Sequence, residues 1–197
     1  MKKVVLIPLA VGLGLTIAAC GSAGHAASAG SMAASENVQE MNDAKAEKKQ
    51  RAANSFGTFV TEDFEGNKVT EAYFDNADVT IVHVWATYCG TCLAEMEEFG
   101  QMTQSLPENV QVLGLCIDAN SQDAYEKEMA EQILADNNVK MTNVIVNDDF
   151  NGALSNVVGV PTTYIVDRAG NIVGESDFGE GVKGYKSIAM DYLETLI

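Results

Sequence analysis

Two cysteines separated by two residues stand where a buried strand gives way to a helix. Val79–Trp85 is an apolar, β-branched run of strand length, and residues 90–106 have helical character. Cys89 and Cys92 therefore fall at the first turn of that helix, where free N–H groups and the helix dipole favour negative charge. Their spacing puts both sulfurs on one helix face, within disulfide reach. We predict that Cys89, the more exposed, attacks a disulfide and that Cys92 resolves the mixed disulfide.

The same two cysteines could instead supply half of a zinc site. Such a site needs four ligands, usually from cysteine and histidine. The sequence has no second Cys-x-x-Cys pair, and no histidine follows His83. The redox interpretation is therefore favoured, with the Cys89–Cys92 disulfide as the only reactive group and no metal or other cofactor expected.

Strands and helices are predicted to alternate along residues 54–197. The predicted strands are Phe59–Phe64, Lys68–Thr70, Val79–Trp85, Val110–Ile117, Thr142–Val146, Pro161–Val166 and Ile172–Glu175, and the predicted helices are 90–106, 122–136, 150–157 and 182–197. On the last helix, the apolar side is predicted to hold Tyr185, Ile188, Ala189, Tyr192 and Leu196. This alternation is typical of an α/β domain with a mainly parallel centre, and the late strand pair indicates an antiparallel edge.

The beginning of the chain has the pattern of a bacterial lipoprotein signal. Two lysines precede an uncharged stretch, 4–19, which is short for a membrane-spanning helix. The sequence Ile-Ala-Ala-Cys that ends at Cys20 resembles a lipobox, which implies cleavage before Cys20 and acylation of this residue. We predict a signal peptide over 1–19 and a lipidated Cys20 that begins a tether and charged spacer over 20–53. An ordinary signal peptide or an uncleaved anchor, with an incidental Cys20, is the alternative.

The charge of the chain excludes one class of partner. The formal net charge is −16 at pH 7, and residues 54–197 carry 24 acidic and 6 basic residues. A phosphate backbone would be repelled by such a domain, so nucleic-acid binding is not expected. The acidic surface could favour basic client proteins.

Two segments resemble the TlpA/ResA-type thioredoxin-like proteins, which are membrane-tethered thiol–disulfide oxidoreductases outside the cytoplasm. The first is Val84–Met96, with the letters VWATYCGTCLAEM, and the second is Gly159–Gly170, with the letters GVPTTYIVDRAG. The likeness covers about residues 56–197. It implies a thioredoxin fold with an N-terminal β-hairpin extension and a central helix-plus-strand insertion.

The resemblance also assigns roles to residues. It implies that Cys89 is the nucleophile and Cys92 the resolving thiol, and that Pro161 is cis and lies beside them. It matches Glu95 to an acidic residue that could exchange a proton with Cys92, although a solvated helix face is an equal alternative. The residues implied to contact the client are Trp85, Tyr88, Gly90, Thr91 and the backbone of Val160.

Some positions depart from the family pattern. Tyr88 replaces a tryptophan, so the residue before the first cysteine is still aromatic. Thr91 stands where many members have proline. His83 could shuttle a proton to Cys92 as a neutral buried imidazole, or it could be an ordinary core histidine. Cys116 is predicted to be a buried bystander thiol.

The leading hypothesis is a membrane-anchored reductase of client disulfides on the outer side of the cell membrane. By family analogy its electrons come from a membrane thiol carrier of the CcdA/DsbD type, and its clients are proteins such as apocytochrome c or a methionine sulfoxide reductase. One alternative is a disulfide-forming oxidant of the same fold. A copper-delivery or metal-binding lipoprotein is less favoured because a distant C-terminal histidine is missing. A peroxidase is disfavoured because Ala86 stands where such enzymes carry threonine.

Overall fold

A computed structural model of the protein describes residues 54–119, 124–176 and 180–197. The predicted signal peptide, the lipidation site at Cys20 and the tether over 20–53 lie outside the described residues. Seven strands are assigned in this part of the chain: β1 Val60–Glu62, β2 Lys68–Thr70, β3 Val79–Trp85, β4 Val110–Cys116, β5 Thr142–Ile145, β6 Thr162–Asp167 and β7 Ile172–Ser176. The α-helices are α1 Gly90–Gln104, α2 Ala124–Asp136 and α3 Gly181–Glu194.

A mixed five-stranded sheet forms the centre of the fold, in the order β5-β4-β3-β6-β7. Strands β3, β4 and β5 run parallel, whereas β6 is antiparallel to β3 and β7 is antiparallel to β6. All seven residues of β3 are buried, as expected for a central strand covered on both faces. These strand directions confirm the predicted α/β class, the mainly parallel centre and the antiparallel edge. The described domain has a thioredoxin fold.

The N-terminal hairpin covers one edge of this sheet. β1 and β2 form a separate antiparallel pair. The hairpin reaches β5 through the Thr61 hydroxyl, which donates to the Ile145 carbonyl, and through the Phe64 N–H, which donates to the Asn143 carbonyl. These contacts cover the open edge of β5, which would otherwise be free to pair with another chain.

Alternate residues of β3 enter different apolar clusters because side chains along a strand point to opposite faces. Val82 and Val84 pack in a cluster that includes four phenylalanines, Phe56, Phe59, Phe74 and Phe150. Val79 and Ile81 pack on the other face, in a cluster shared with α1 and α3. A third cluster surrounds the two cysteines; its buried members are Phe64, Trp85, Ala86, Cys89, Cys92, Met96, Cys116, Ala119 and Ala130.

Two predicted elements differ from the structure. The single helix predicted over 150–157 is wrong, because the chain forms two short 3-10 turns, Asp148–Phe150 and Ala153–Asn156. Asparagine, aspartate, serine and glycine dominate this segment, and these residues are poor helix formers. Helix α3 ends at Glu194, so the predicted helix end at 197 is also wrong. Leu196 is 52% exposed and does not join the buried side that holds Tyr185 and Ala189.

Candidate active site

Helix α1 begins directly at the two cysteines. Cys89 and Cys92 form a disulfide, with their Cα atoms 5.2 Å apart. Cys89 is the N-cap residue, and its Sγ accepts a hydrogen bond from the backbone N–H of Cys92 at 3.1 Å. The first turn of α1 contains no acidic residue that would compete for the positive end of the helix dipole. A thiolate formed at Cys89 on reduction is therefore stabilised.

The two sulfurs differ in accessibility. Cys89 is 8% exposed and Cys92 is fully buried, as predicted from their order along the helix. Gly90 and Thr91 are exposed beside them, and a Cβ atom at Gly90 would have no neighbour within 4 Å. The helix start thus leaves open space above the disulfide on the side of Cys89.

The segment that contains Pro161 approaches Cys89 Sγ from a different part of the chain. The Val160–Pro161 peptide bond is cis, as predicted. The carbonyl oxygen of Val160 lies 3.4 Å from Cys89 Sγ. The antiparallel pairing of β6 with β3 brings this segment to the cysteines, because Thr162 stands opposite Val84 near the end of β3. The Val160 backbone is thereby held at the reactive sulfur.

The residues implied to contact the client differ in exposure. Tyr88 is 72% exposed, whereas Trp85 has no exposed area. The indole N–H of Trp85 donates to the side-chain oxygen of Asn143 at 3.0 Å. The expectation that Trp85 contacts the client directly is therefore corrected: its side chain is buried in the apolar cluster that also holds the two cysteines. The reason is its position as the last residue of a central strand.

Glu95 lies on α1, one helical turn after Cys92. Its side chain is 11% exposed, so it does not belong to the solvated face that Glu97 and Glu98 form. The Tyr185 hydroxyl donates to its two oxygens at 3.3 and 3.2 Å. Burial raises the pKa of Glu95 to about 7, against the opposing effect of the Tyr185 hydrogen bond and with help from the negative charge of Glu98. The carboxyl group can therefore hold or release a proton near neutral pH.

His83 faces Glu95 from the central strand. Its ring is fully buried and packs on Phe99 and Tyr185, with ring centroids 4.4 and 5.8 Å away. Burial lowers the pKa of His83 to about 3, so the imidazole is neutral at physiological pH. Nδ1 lies 2.9 Å from Thr163 Oγ1, and Nε2 lies 3.6 Å from Glu95 Oε1 without a hydrogen-bond partner.

Asp118 is a site residue that the sequence did not single out. Its carboxylate accepts hydrogen bonds from both the backbone N–H and the hydroxyl of Thr87, and from the thiol of Cys116. Thr87 lies in the turn that leads to Cys89. Thr87 and Asp118 each follow the carboxyl end of a strand, and β3 and β4 are parallel neighbours with Trp85 opposite Cys116. The ends of adjacent parallel strands meet at one edge of a sheet, so the positions of Thr87 and Asp118 after two such strands could have indicated their contact.

Cys116 is buried and is not part of the disulfide. Burial raises the pKa of its thiol, and the hydrogen bond and charge of Asp118 act in the same direction. A thiol held protonated in this way is a poor nucleophile. The prediction of a buried bystander thiol agrees with this environment.

In the described parts of the chain, none of the helices is both long enough and apolar enough to cross a membrane. Within the same residues, no three side chains of the metal-binding types come together as a group that could hold an ion.

Comparisons with known proteins agree on the fold and on the kind of site. The chain is 28% identical over 175 residues to the thiol:disulfide interchange protein DsbE of Haemophilus influenzae, covering 87% of this chain and 84% of that protein. Among solved structures, a secreted Mycobacterium tuberculosis disulfide oxidoreductase homologous to E. coli DsbE has a TM-score of 0.54 at 16% identity, covering 74% of this chain and 98% of that one. The thioredoxin domain of a thiol–disulfide oxidoreductase from Bacteroides vulgatus has a TM-score of 0.54 at 18% identity, covering 74% and 96%.

The protein combines a Cys-x-x-Cys pair at the start of a helix, a cis-proline nearby and a five-stranded sheet of thioredoxin type. These features define a thioredoxin-fold thiol–disulfide oxidoreductase. The sequence profile of the AhpC/TSA family matches residues 39–174, and the chain belongs to that family.

Proposed function

We propose that this protein is a TlpA/ResA-type oxidoreductase, anchored to the outer side of the cell membrane, that reduces the disulfides of client proteins. The observation that carries the proposal is the position of Cys89 Sγ. It sits at the positive end of α1, at the border of solvent, and 3.4 Å from the Val160 carbonyl. A client chain that pairs with the Val160 backbone would place its own disulfide against this sulfur.

In the first step, the Cys89 thiolate attacks one sulfur of the client disulfide. The client S–S bond breaks, a Cys89–client disulfide forms, and the other client sulfur leaves as a thiolate that takes a proton from solvent. Tyr88, Gly90 and Thr91 border the path of approach, since all three are exposed beside Cys89.

In the second step, the Cys92 thiol gives its proton to the Glu95 carboxylate, and the resulting thiolate attacks Cys89 Sγ. The Cys89–Cys92 bond forms and the second client thiolate is released, so two electrons have passed to the client. A carboxyl group with a pKa near neutral is suited to this exchange, because it can take the proton and later return it. Renewed reduction of Cys89–Cys92 then needs two electrons from a donor dithiol, while Glu95 returns the proton to Cys92 and Cys89 is left as the thiolate.

The donor and the clients follow from the family resemblance. We propose a membrane thiol carrier of the CcdA/DsbD type as the donor. Candidate clients are apocytochrome c and an extracytoplasmic methionine sulfoxide reductase. Acylation of Cys20 would keep the domain beside such a carrier, because two or three acyl chains give lasting attachment to a bilayer. The name and the description of the relatives, DsbE and a secreted oxidoreductase, support a location outside the cytoplasm.

The proposal is tested by insulin reduction with the full chain and a chemical dithiol as electron source. The double variant Cys89→Ser, Cys92→Ser should lose the activity. Cys116→Ser is the matched control and should retain it, because Cys116 is buried away from solvent and serine keeps a donor for Asp118. Full activity in the double variant would refute the proposal.

Two further measurements decide the direction and the clients. A reduction potential near that of thioredoxin, about −270 mV, supports a reductant, whereas a value near about −120 mV would make the protein an oxidant. A Cys92→Ala variant should trap mixed disulfides through Cys89, and mass spectrometry would then identify the clients. Replacement of Cys20 by alanine should release the protein from the membrane fraction.

A further inference from the structure

Four polar side chains from four elements are joined by a chain of contacts. We call them the buried polar cluster: His83 of β3, Glu95 of α1, Thr163 of β6 and Tyr185 of α3. His83 contacts Thr163 through Nδ1 at 2.9 Å and faces Glu95 through Nε2 at 3.6 Å. Tyr185 donates to Glu95 at 3.2 and 3.3 Å, and the Thr163 side chain acts to lower the pKa of Tyr185.

The chemistry of each group limits where its hydrogens can be. His83 is neutral at physiological pH, so one ring nitrogen carries a hydrogen and the other a lone pair. Burial, and then the charge of Glu95, raise the pKa of Tyr185, so the phenol keeps its hydrogen and donates it to Glu95. His83 Nε2 is fully buried without a hydrogen-bond partner and is aimed at Glu95 Oε1.

Only two arrangements of hydrogens avoid a repulsive contact between His83 and Glu95. If the carboxyl group is ionised, Nε2 must carry the hydrogen and direct it at Oε1, 3.6 Å away, while Nδ1 accepts from the Thr163 hydroxyl. If the carboxyl group is protonated, it donates to the Nε2 lone pair and Nδ1–H donates to Thr163 Oγ1. Thr163 Oγ1 thus donates to Nδ1 in the first arrangement and accepts from it in the second.

We propose that His83 is a positioning residue for proton transfer at Glu95, and that its neutral ring changes tautomer whenever this carboxyl group gains or loses a proton. The ring carries its hydrogen on Nδ1 when Glu95 is a carboxylic acid and on Nε2 when Glu95 is a carboxylate. One proton enters or leaves the cluster at Glu95, and the imidazole keeps one N–H throughout. Thr163 enforces the exchange because a hydroxyl can serve Nδ1 either as donor or as acceptor.

The catalytic role of this tautomer change rests on the proposed function. A proton that passes from Cys92 to Glu95 creates an O–H group in a buried site, where an unpaired donor is costly. The His83 ring supplies the acceptor in that state and a donor in the other, so neither form of Glu95 is left unpaired. The other titratable groups that act here are Glu98 on the helix of Glu95 and Glu180 near Tyr185.

The direct test is the ¹⁵N NMR spectrum of the ring nitrogens of His83 in the oxidised full chain, recorded from about pH 5 to about pH 9. The chain has two histidines, and a His25→Gln variant assigns their signals. We expect the pyrrole-type signal to move from Nδ1 to Nε2 with the same midpoint as the titration of the Glu95 carboxyl carbon. In Glu95→Gln, whose side chain does not titrate, the ring should keep one tautomer at every pH. A wild-type ring with one unchanging tautomer, or a ring that becomes a cation in this range, would overturn the proposal.

A second test perturbs the cluster at a residue that does not touch Glu95. Thr163→Val removes the acceptor for Nδ1–H and so favours the tautomer that donates to the carboxylate. It should lower the Glu95 midpoint by about one pH unit, and Thr163→Ser should restore it. An unchanged midpoint in the valine variant would count against the proposal. If the valine variant fails to fold, the wild-type and Glu95→Gln series still decide. If the wild-type protein showed the tautomer exchange but did not reduce insulin, the proposed function would be rejected and the proposal for His83 would stand.

Discussion

At the scale of single residues, Glu95 ties the stability of the fold to pH. Burial raises the pKa of its carboxyl group to about 7 in the folded protein, whereas an unfolded chain has the ordinary value of 4.5. A raised pKa means that the stabilising contribution is complete below about pH 4.5 and is lost as the pH rises through about 7. The oxidised protein should therefore lose about 1–2 kcal/mol of unfolding free energy over this window, after allowance for partial solvent screening.

Urea unfolding of wild-type protein and Glu95→Gln measures this contribution, because the amide cannot ionise. The difference between the two proteins should change with pH in the stated direction. Glu97→Gln is the matched control, since Glu97 is exposed on the same helix and its replacement should leave the pH dependence as in wild type. A Glu95→Gln variant with the wild-type pH profile would contradict the assignment.

The contribution of Asp118 to stability is expected to depend on pH in the opposite direction. Burial acts to raise its pKa, but the hydrogen bonds from Thr87 and Cys116 outweigh burial and hold the pKa below the usual value. Its contribution to stability is therefore present at neutral pH and is lost as the pH falls through the folded-state pKa. Asp118→Ala leaves the buried N–H of Thr87 without an acceptor and should cost about 1–3 kcal/mol at neutral pH.

Equilibrium unfolding at neutral and at acidic pH separates this effect from a general loss of packing. The deficit of Asp118→Ala should shrink in acid, where the wild-type carboxylate is itself protonated. Thr87→Ser keeps both donors and should stay close to wild type. A deficit that is equal at both pH values would show that Asp118 acts by packing and not by its charge.

At the scale of elements, the close approach of β4 and β5 fixes the side chain of Asn143, which accepts a hydrogen bond from Trp85. A Cβ atom at Gly114 would collide with the side-chain oxygen of Asn143, the same atom that accepts the indole N–H of Trp85. Gly114→Ala should displace Asn143 and leave the buried indole unpaired. We expect a loss of about 1–3 kcal/mol, measured by thermal or urea unfolding. Gly90→Ala is the control, since a Cβ atom there meets open space; equal losses in both variants would contradict this account.

Most elements could be predicted from the sequence because their periodic patterns are local. The apolar run of β3 and the helical spacing after Cys89 gave both the strand and the helix start. The two 3-10 turns between β5 and β6 were missed, because apolar spacing there suggests a helix that the polar residues do not sustain. The contacts of Asp118 with Thr87, and of Tyr185 with Glu95, were also missed. Such contacts join residues 31 and 90 positions apart, and only the sheet order brings them together.

At the scale of the whole molecule, the dominant property is negative charge. Residues 54–197 carry 24 acidic and 6 basic residues. A charge of this size sets up a potential that attracts basic partners and speeds their encounter, and salt weakens it as the Debye length shortens to about 8 Å at physiological ionic strength. The acidic surface should therefore influence which client reaches Cys89 first.

Two peptides with the same disulfide, one flanked by lysines and the other by glutamates, would measure this influence. The rate constant kcat/KM for the lysine peptide should fall several-fold between about 0.02 M and about 0.5 M salt, while that for the glutamate peptide should rise. Because steering acts on encounter and not on the sulfur chemistry, kcat should change much less than kcat/KM. A flat salt response for both peptides would mean that the charge keeps the domain soluble without selecting its clients, and that the choice is made at the exposed surface around Tyr88.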